Sequence, residues 1–155
     1  MDTPAGIVAT YECTIDVGLA PPTFVGAGGA GNRAVVGVTG GTVTGPRING
    51  TIAGPGADWL LLGGDGHARV DVRVQIATTD GAFIYVSYFG VLELNEAATA
   101  ALLDPAVETT FEDQYFRTTP RMECGDERYE WVNQTVFVAR GRLTKAGVAY
   151  EVYRV

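Results

Sequence analysis

Over residues 67–78 polar and apolar residues alternate as far as Ile76, and Asp80-Gly81 follows. Ala68, Val70, Val72, Val74 and Ile76 fall on one side of such a segment, and Arg69, Asp71, Arg73 and Gln75 on the other. A period of two is the repeat of a β-strand with one buried face, and Asp-Gly is a strong hairpin turn signal. The second strand is then Ala82–Leu92. With a two-residue turn, Thr79 faces Ala82, Arg73 faces Tyr88 and Asp71 faces Gly90. Asp71, Arg73 and Tyr88 then share one face, while Val70, Val72, Val74 and Ile76 oppose Tyr85, Ser87 and Phe89.

The rest of the chain repeats this theme. Ile7, Ala9, Tyr11, Cys13, Ile15 and Val17 alternate with mostly polar residues and predict a first strand over 7–17. Residues 18–66 are dense in glycine, which suits turns between short strands, here around Ala34–Val38 and Thr42–Ile52. Gly54-Pro55-Gly56-Ala57-Asp58-Trp59 reads as a turn leading into Leu60–Leu62. Asn95–Leu103 is the one helical stretch, with Asn95 as N-cap and Pro105 beyond its end. Further strands are expected over Gln114–Thr119, Tyr129–Gly141 and Val148–Val155. Eight to ten short strands with one short helix point to an all-β sandwich or barrel in a single domain over residues 1–155.

Composition narrows the functions open to such a fold. With 18 acidic and 11 basic residues the net charge is −7, and no run of Lys or Arg offsets it, so nucleic acid is not an expected partner. No apolar stretch approaches the roughly 20 residues of a membrane-crossing helix, and no membrane partner is expected. Met1-Asp2-Thr3-Pro4 does not begin a basic segment followed by an apolar one, so the expected location is cytoplasmic. Cys13 and Cys124 are scattered and read as free thiols, and with one histidine, His67, no metal site is expected. His67 follows Asp65-Gly66 at a turn, where a solvated histidine is the ordinary case.

Gly26-Ala27-Gly28-Gly29-Ala30-Gly31 matches the dinucleotide-binding pattern only as letters, because a strand rather than a helix is expected after it. No nucleotide or other cofactor is expected. The two tryptophans, in Asp58-Trp59 and Tyr129-Glu130-Trp131-Val132-Asn133, stand beside polar groups, as in the walls of small-molecule pockets.

Four stretches resemble a family known as DUF3237 or UPF0311. They are Gly40-Gly41 through Gly54-Pro55-Gly56-Ala57-Asp58-Trp59; Asp65-Gly66 through Asp71-Val72-Arg73 to Thr79-Asp80-Gly81-Ala82; Phe116-Arg117-Thr118-Thr119-Pro120-Arg121-Met122-Glu123-Cys124-Gly125; and Tyr129–Asn133. The resemblance implies an antiparallel β-barrel of calycin-like shape and says little about chemistry. Its polar and aromatic members map onto Asp58, Trp59, Asp71, Arg73, Thr118, Glu123, Trp131 and Asn133, and it places Asp71 and Arg73 in the barrel lumen. The Leu60–Leu62 run departs from the family pattern toward a more apolar pocket.

These residues lead to an expected cofactor-independent enzyme, a lyase, hydratase or isomerase acting on a small carbonyl or phenolic metabolite. Such chemistry needs a carboxylate base in a low-dielectric pocket and a donor for the developing oxyanion. Asp58 or Glu123 is the base, Arg73 the oxyanion donor, and Trp59, Asp71, Tyr88, Thr118, Trp131 and Asn133 bind substrate. A non-catalytic small-molecule carrier and a structural or interface protein are the alternatives. A homodimer is compatible with a barrel of this size, although no segment marks an interface.

Overall fold

A computed structural model describes residues 3–155. Ten strands form one antiparallel sheet: β1 (Thr10–Leu19), β2 (Thr23–Gly28), β3 (Gly31–Thr44), β4 (Gly50–Leu62), β5 (His67–Thr78), β6 (Phe83–Glu93), β7 (Phe116–Thr118), β8 (Arg121–Glu123), β9 (Phe137–Leu143) and β10 (Gly147–Arg154). Between β6 and β7 lies the helix α1 (Glu96–Leu103), and between β8 and β9 a 3-10 segment, Glu127–Gln134. The ladder runs β1-β10-β9-β7-β6-β5-β4-β3, and β1 also pairs with β3. Eight strands therefore close on themselves, with β2 added beside β3 and β8 beside β6. Closure removes the free edges that a strand-rich chain must otherwise protect.

The core is the interior of that ring. Val70, Val72, Val74 and Ile76 of β5 and Ile84, Val86 and Tyr88 of β6 are buried, as are Ile15 and Val17 of β1 and Val148, Tyr150 and Val152 of β10. One apolar face per strand, closed into a ring, is what the alternating pattern dictates.

The β5–β6 hairpin differs from the expected register by one residue. Thr78 N–H donates to Ala82 O, leaving the three-residue loop Thr79-Asp80-Gly81, and Arg73 pairs with Ser87, Val72 with Tyr88 and Asp71 with Phe89. A two-residue type I′ turn needs positive φ at both central residues, but only Gly81 has it, at 93°. The Thr78 hydroxyl accepts from Ala82 N–H at 2.8 Å and donates to Asp80 at 2.6 Å, and Tyr129 donates to the same carboxylate at 2.8 Å, so side chains hold the longer loop. The shift moves Tyr88 to the buried face with Val72, and leaves Asp71 and Arg73 outside with Ser87 and Phe89.

Other boundaries differ for local reasons. β1 begins at Thr10, opposite Arg154 at the end of β10, so Ile7 lies outside the ladder at 86% exposed; within the strand the pairing shifts at a bulge between Tyr11 and Cys13. That bulge buries Glu12 beside Cys13. The expected strand 34–38 is part of the longer β3, whereas 42–52 is no single strand but spans the end of β3, the turn at 45–49 and the start of β4. Gly54–Trp59 is a bulged part of β4 rather than a turn, with the ladder slipping by two residues between Ala53 and Ala57. Glu127–Gln134 is a 3-10 segment kinked at Tyr129, so Trp131 and Asn133 do not share the face of a strand. The Gly26–Gly31 segment is the tip of the β2–β3 hairpin, followed by strand.

β7 and β8 are two parts of one line. Gly90 pairs with Thr118 and Tyr85 with Glu123 in a single register along β6, and Thr119 N–H donates to Phe89 O between them. Pro120 falls one residue past that hydrogen-bonded position, where the ladder requires no N–H. The α1 helix forms where expected, with Asn95 Oδ1 accepting from Ala98 N–H at 3.0 Å.

Candidate functional site

Among the described residues two carboxylates are buried, Glu12 and Asp58, and their surroundings differ completely. Glu12 faces two cations, Arg47 and Arg154. Arg47 also lies over the Trp131 ring, 3.6 Å from its centroid. Burial works against ionising Glu12, but the two guanidiniums outweigh it and hold the carboxyl below its ordinary value. The arrangement ties β1, the β3–β4 loop, the C-terminal strand and the 3-10 segment together.

Asp58 has no such partner among the described residues. It follows the β4 bulge and lies on the inward side of that strand, 9% exposed, between Val36 of β3 and Val72 of β5. Its Oδ1 accepts the backbone N–H of Asp71 at 3.0 Å. Burial pushes its pKa up to about 6; the Asp71 amide pulls it down, and the Asp71 charge adds to the rise. Leu60 and Leu62, two and four residues on, are only partly buried against the core, as are Leu19 and Val38. They make an apolar border to the inner wall at this end of the barrel.

Two tyrosines share that wall. Tyr88 sits opposite Val72, which sits opposite Asp58, and Tyr150 projects from β10. The two rings meet edge to face at 5.1 Å, and Tyr150 meets Phe116 in the same way at 5.4 Å. Burial raises the pKa of both phenols, and the charge of Asp58 contributes to the rise in each. Both hydroxyls therefore keep their protons at neutral pH. Thr118, on the inward side of β7, is 3% exposed, and its Oγ1 has no hydrogen-bond partner among the described residues. A buried hydroxyl left unpaired is a site where a ligand or water oxygen is well received.

Of the residues expected from sequence, Asp58, Tyr88 and Thr118 line the inner wall. Trp59, Asp71 and Arg73 do not; they stand on the outer face. Arg73 pairs with Asp71 at 3.0 Å, with the side chains 45% and 32% exposed, and its guanidinium lies 5.6 Å from the centroid of Trp59. The reason is that Val70, Val72, Val74 and Ile76 take the inner side of β5, which puts the alternate residues Asp71 and Arg73 outside and removes Arg73 as an inner-wall oxyanion donor. Glu123 is exposed on β8. Asn133 clamps the backbone of Cys124, accepting its N–H at 2.9 Å and donating to its carbonyl at 2.8 Å. Trp131 is held in the Glu12–Arg47 cluster. Tyr150 was missed, although Val148, Tyr150 and Val152 alternate plainly; its strand had not been tied to a site.

Among the described residues no cluster of three or more His, Cys, Asp or Glu side chains is arranged to hold a metal ion. No helix there is long and apolar enough to cross a membrane.

Residues 8–155 match the family described as "Protein of unknown function (DUF3237)". The chain belongs to this family. A UPF0311 protein of Rhodopseudomonas palustris is 31% identical over 150 residues, covering 94% of each chain. Among solved structures, a β-barrel-like protein from Acinetobacter baumannii AYE superposes with a TM-score of 0.82 at 30% identity, covering 99% of both chains. An enzyme from Penicillium herquei matches with a TM-score of 0.72 at 22% identity over 99% of this chain and 98% of its own, a likeness of fold. The barrel fold is thus common to these chains, and a shared fold does not fix a shared chemistry.

Proposed function

We propose that this DUF3237 protein is a cofactor-independent proton-transfer enzyme, of lyase, hydratase or isomerase type, acting on a small uncharged carbonyl or phenolic compound at the inner wall. The observation that carries this reading is Asp58, a buried carboxyl without a cation partner among the described residues, whose pKa burial raises to about 6. A carboxylate tuned toward neutrality suits a base that must both take and return a proton near pH 7. Tyr88 and Tyr150, protonated and buried, supply hydroxyl donors to an oxygen on which negative charge develops. Thr118 Oγ1 offers a further polar contact. The expectation of an uncharged substrate follows from charge: no Arg or Lys among the described residues is buried, so nothing on the inner wall compensates an anion beside Asp58.

Deuterium exchange tests the proposal. Neutral enolisable ketones, with 2-tetralone as the first probe, are incubated with the protein in D2O and followed by proton NMR. The expected result is loss of the α-proton signal above the buffer rate with the wild-type protein, reduced at least about a hundredfold by Asp58→Asn. Exchange at the buffer rate across the panel, or an unchanged rate in Asp58→Asn, overturns it. Binding of a ketone without exchange points instead to a carrier.

A further inference from the structure

The outer face of the barrel holds a second feature, separate from Asp58. A groove of about 770 Å³ runs across β6, β7 and β9, bordered by Phe89, Tyr115, Arg117, Val138, Arg140 and Tyr153. Its volume lies within the range of small-molecule clefts, about 300–1,000 Å³.

The ladder aligns cations across it. Arg69 pairs with Val91, Val91 with Arg117, and Arg117 with Arg140 on the next strand. Like charges directly opposite on neighbouring strands repel, and in a chain of net charge −7 a cross-strand arginine pair is unexpected. Arg140 is compensated by Glu151 at 2.7 Å and Glu112 at 3.0 Å, and Arg69 by Asp65. Arg117 has no carboxylate partner among the described residues. One of its nitrogens donates to Phe116 O at 3.1 Å, and its guanidinium lies 5.2 Å from the centroid of the Tyr115 ring. The neighbouring row is apolar: Phe89 is 57% exposed, Tyr115 53% and Val138 36%. A guanidinium lacking a counter-charge thus stands beside exposed aromatic surface.

We infer that this groove binds an aromatic carboxylate, its ring against Phe89, Tyr115 and Val138 and its carboxylate on Arg117. A guanidinium fork matches a carboxylate bidentately, and its charge complements the one group the groove lacks. The ligand differs in charge from the uncharged compound proposed for the inner wall, so the two sites are separable by experiment.

The test is an amide-resolved NMR titration of the 15N-labelled protein with sodium 2-naphthoate. Saturable shifts are expected at Phe89, Arg117, Thr119 and Val138. Arg117→Gln, an exposed position whose fold the same spectrum checks, is expected to weaken binding at least about tenfold, as is replacement of the probe by uncharged 2-naphthol. Phe89→Ala is expected to weaken it independently. Shifts absent from these amides, equal affinity of Arg117→Gln, or equal affinity for 2-naphthol overturns the inference. Concentration-dependent shifts of the same amides without ligand overturn it too, since they assign the groove to a second copy of the chain.

Discussion

The backbone amide of Asp71 donates to Asp58 Oδ1 at 3.0 Å, while the side chain of Asp71 turns to the opposite face of the barrel wall and pairs with Arg73. One residue thus serves both sides of the sheet. Its main chain holds an inner carboxylate in place, and its side chain keeps a cation outside, away from that carboxylate. The separation leaves Asp58 without a counter-ion among the described residues, so no cation offsets the rise that burial imposes on its pKa.

That rise sets a pH dependence of stability. The folded value, about 6, lies above the ordinary 3.8, so the folded state binds the proton more tightly than the unfolded chain. The stability held below pH 3.8 is lost as pH rises to about 6, by roughly 3 kcal/mol for this group. Urea denaturation of wild type and Asp58→Asn checks it: Asp58→Asn should gain on the wild type between pH 4.5 and 7.5.

Glu12 acts with the opposite sign. Arg47 and Arg154 lower its pKa below 4.5, so its contribution is present above that value and lost as pH falls through the folded value. Replacing both arginines by methionine leaves a buried carboxylate unpaired and is expected to cost about 3–5 kcal/mol. Glu12→Gln leaves only half-exposed cations behind and is expected to cost less, about 1–3 kcal/mol. Denaturation at pH 7 gives the order, and equal losses would argue against the pairing.

Gly90 backs Thr118 on the neighbouring strand. A Cβ there would lie 2.5 Å from Arg117 O and 2.5 Å from Thr118 Cγ2, so β6 and β7 must separate to admit it. Gly90→Ala is expected to destabilise the protein by about 1–3 kcal/mol in urea denaturation.

In the ketone exchange assay, Arg73→Met and Asn133→Ala are expected to keep the wild-type rate. Arg73 is a half-exposed outer partner of Asp71, and its loss changes stability by no more than about 0.5–1 kcal/mol. Asn133 makes two hydrogen bonds to the Cys124 backbone, so its loss is expected at about 1–2 kcal/mol of stability, read in urea.

The barrel was legible because alternation is a local property. β5, β6, β10 and α1 follow from period, turn residues and a capping asparagine. Register was not, because it depends on whether Asp80 adopts positive φ, and that is settled by Thr78 and by Tyr129, 49 residues away in sequence. One residue of slip separates Tyr88, which faces inward, from the Asp71–Arg73 pair, which faces outward. Glu12 was hidden for a related reason: a bulge turns a residue from the polar side of the pattern inward. The 3-10 segment at Trp131 has β-like composition, and its helical form is set by Asp126 capping Arg128 N–H at 3.0 Å and by Tyr129 reaching Asp80.

Carbon-detected NMR titration of the Asp58 side-chain carboxyl, assigned by its absence in Asp58→Asn, tests most directly whether the inner wall holds a proton-exchanging acid. The expected midpoint is about 6. A midpoint near 4, the ordinary carboxylate value of about 3.9, would mean that the group is solvated like any surface aspartate, and would contradict the proposed chemistry.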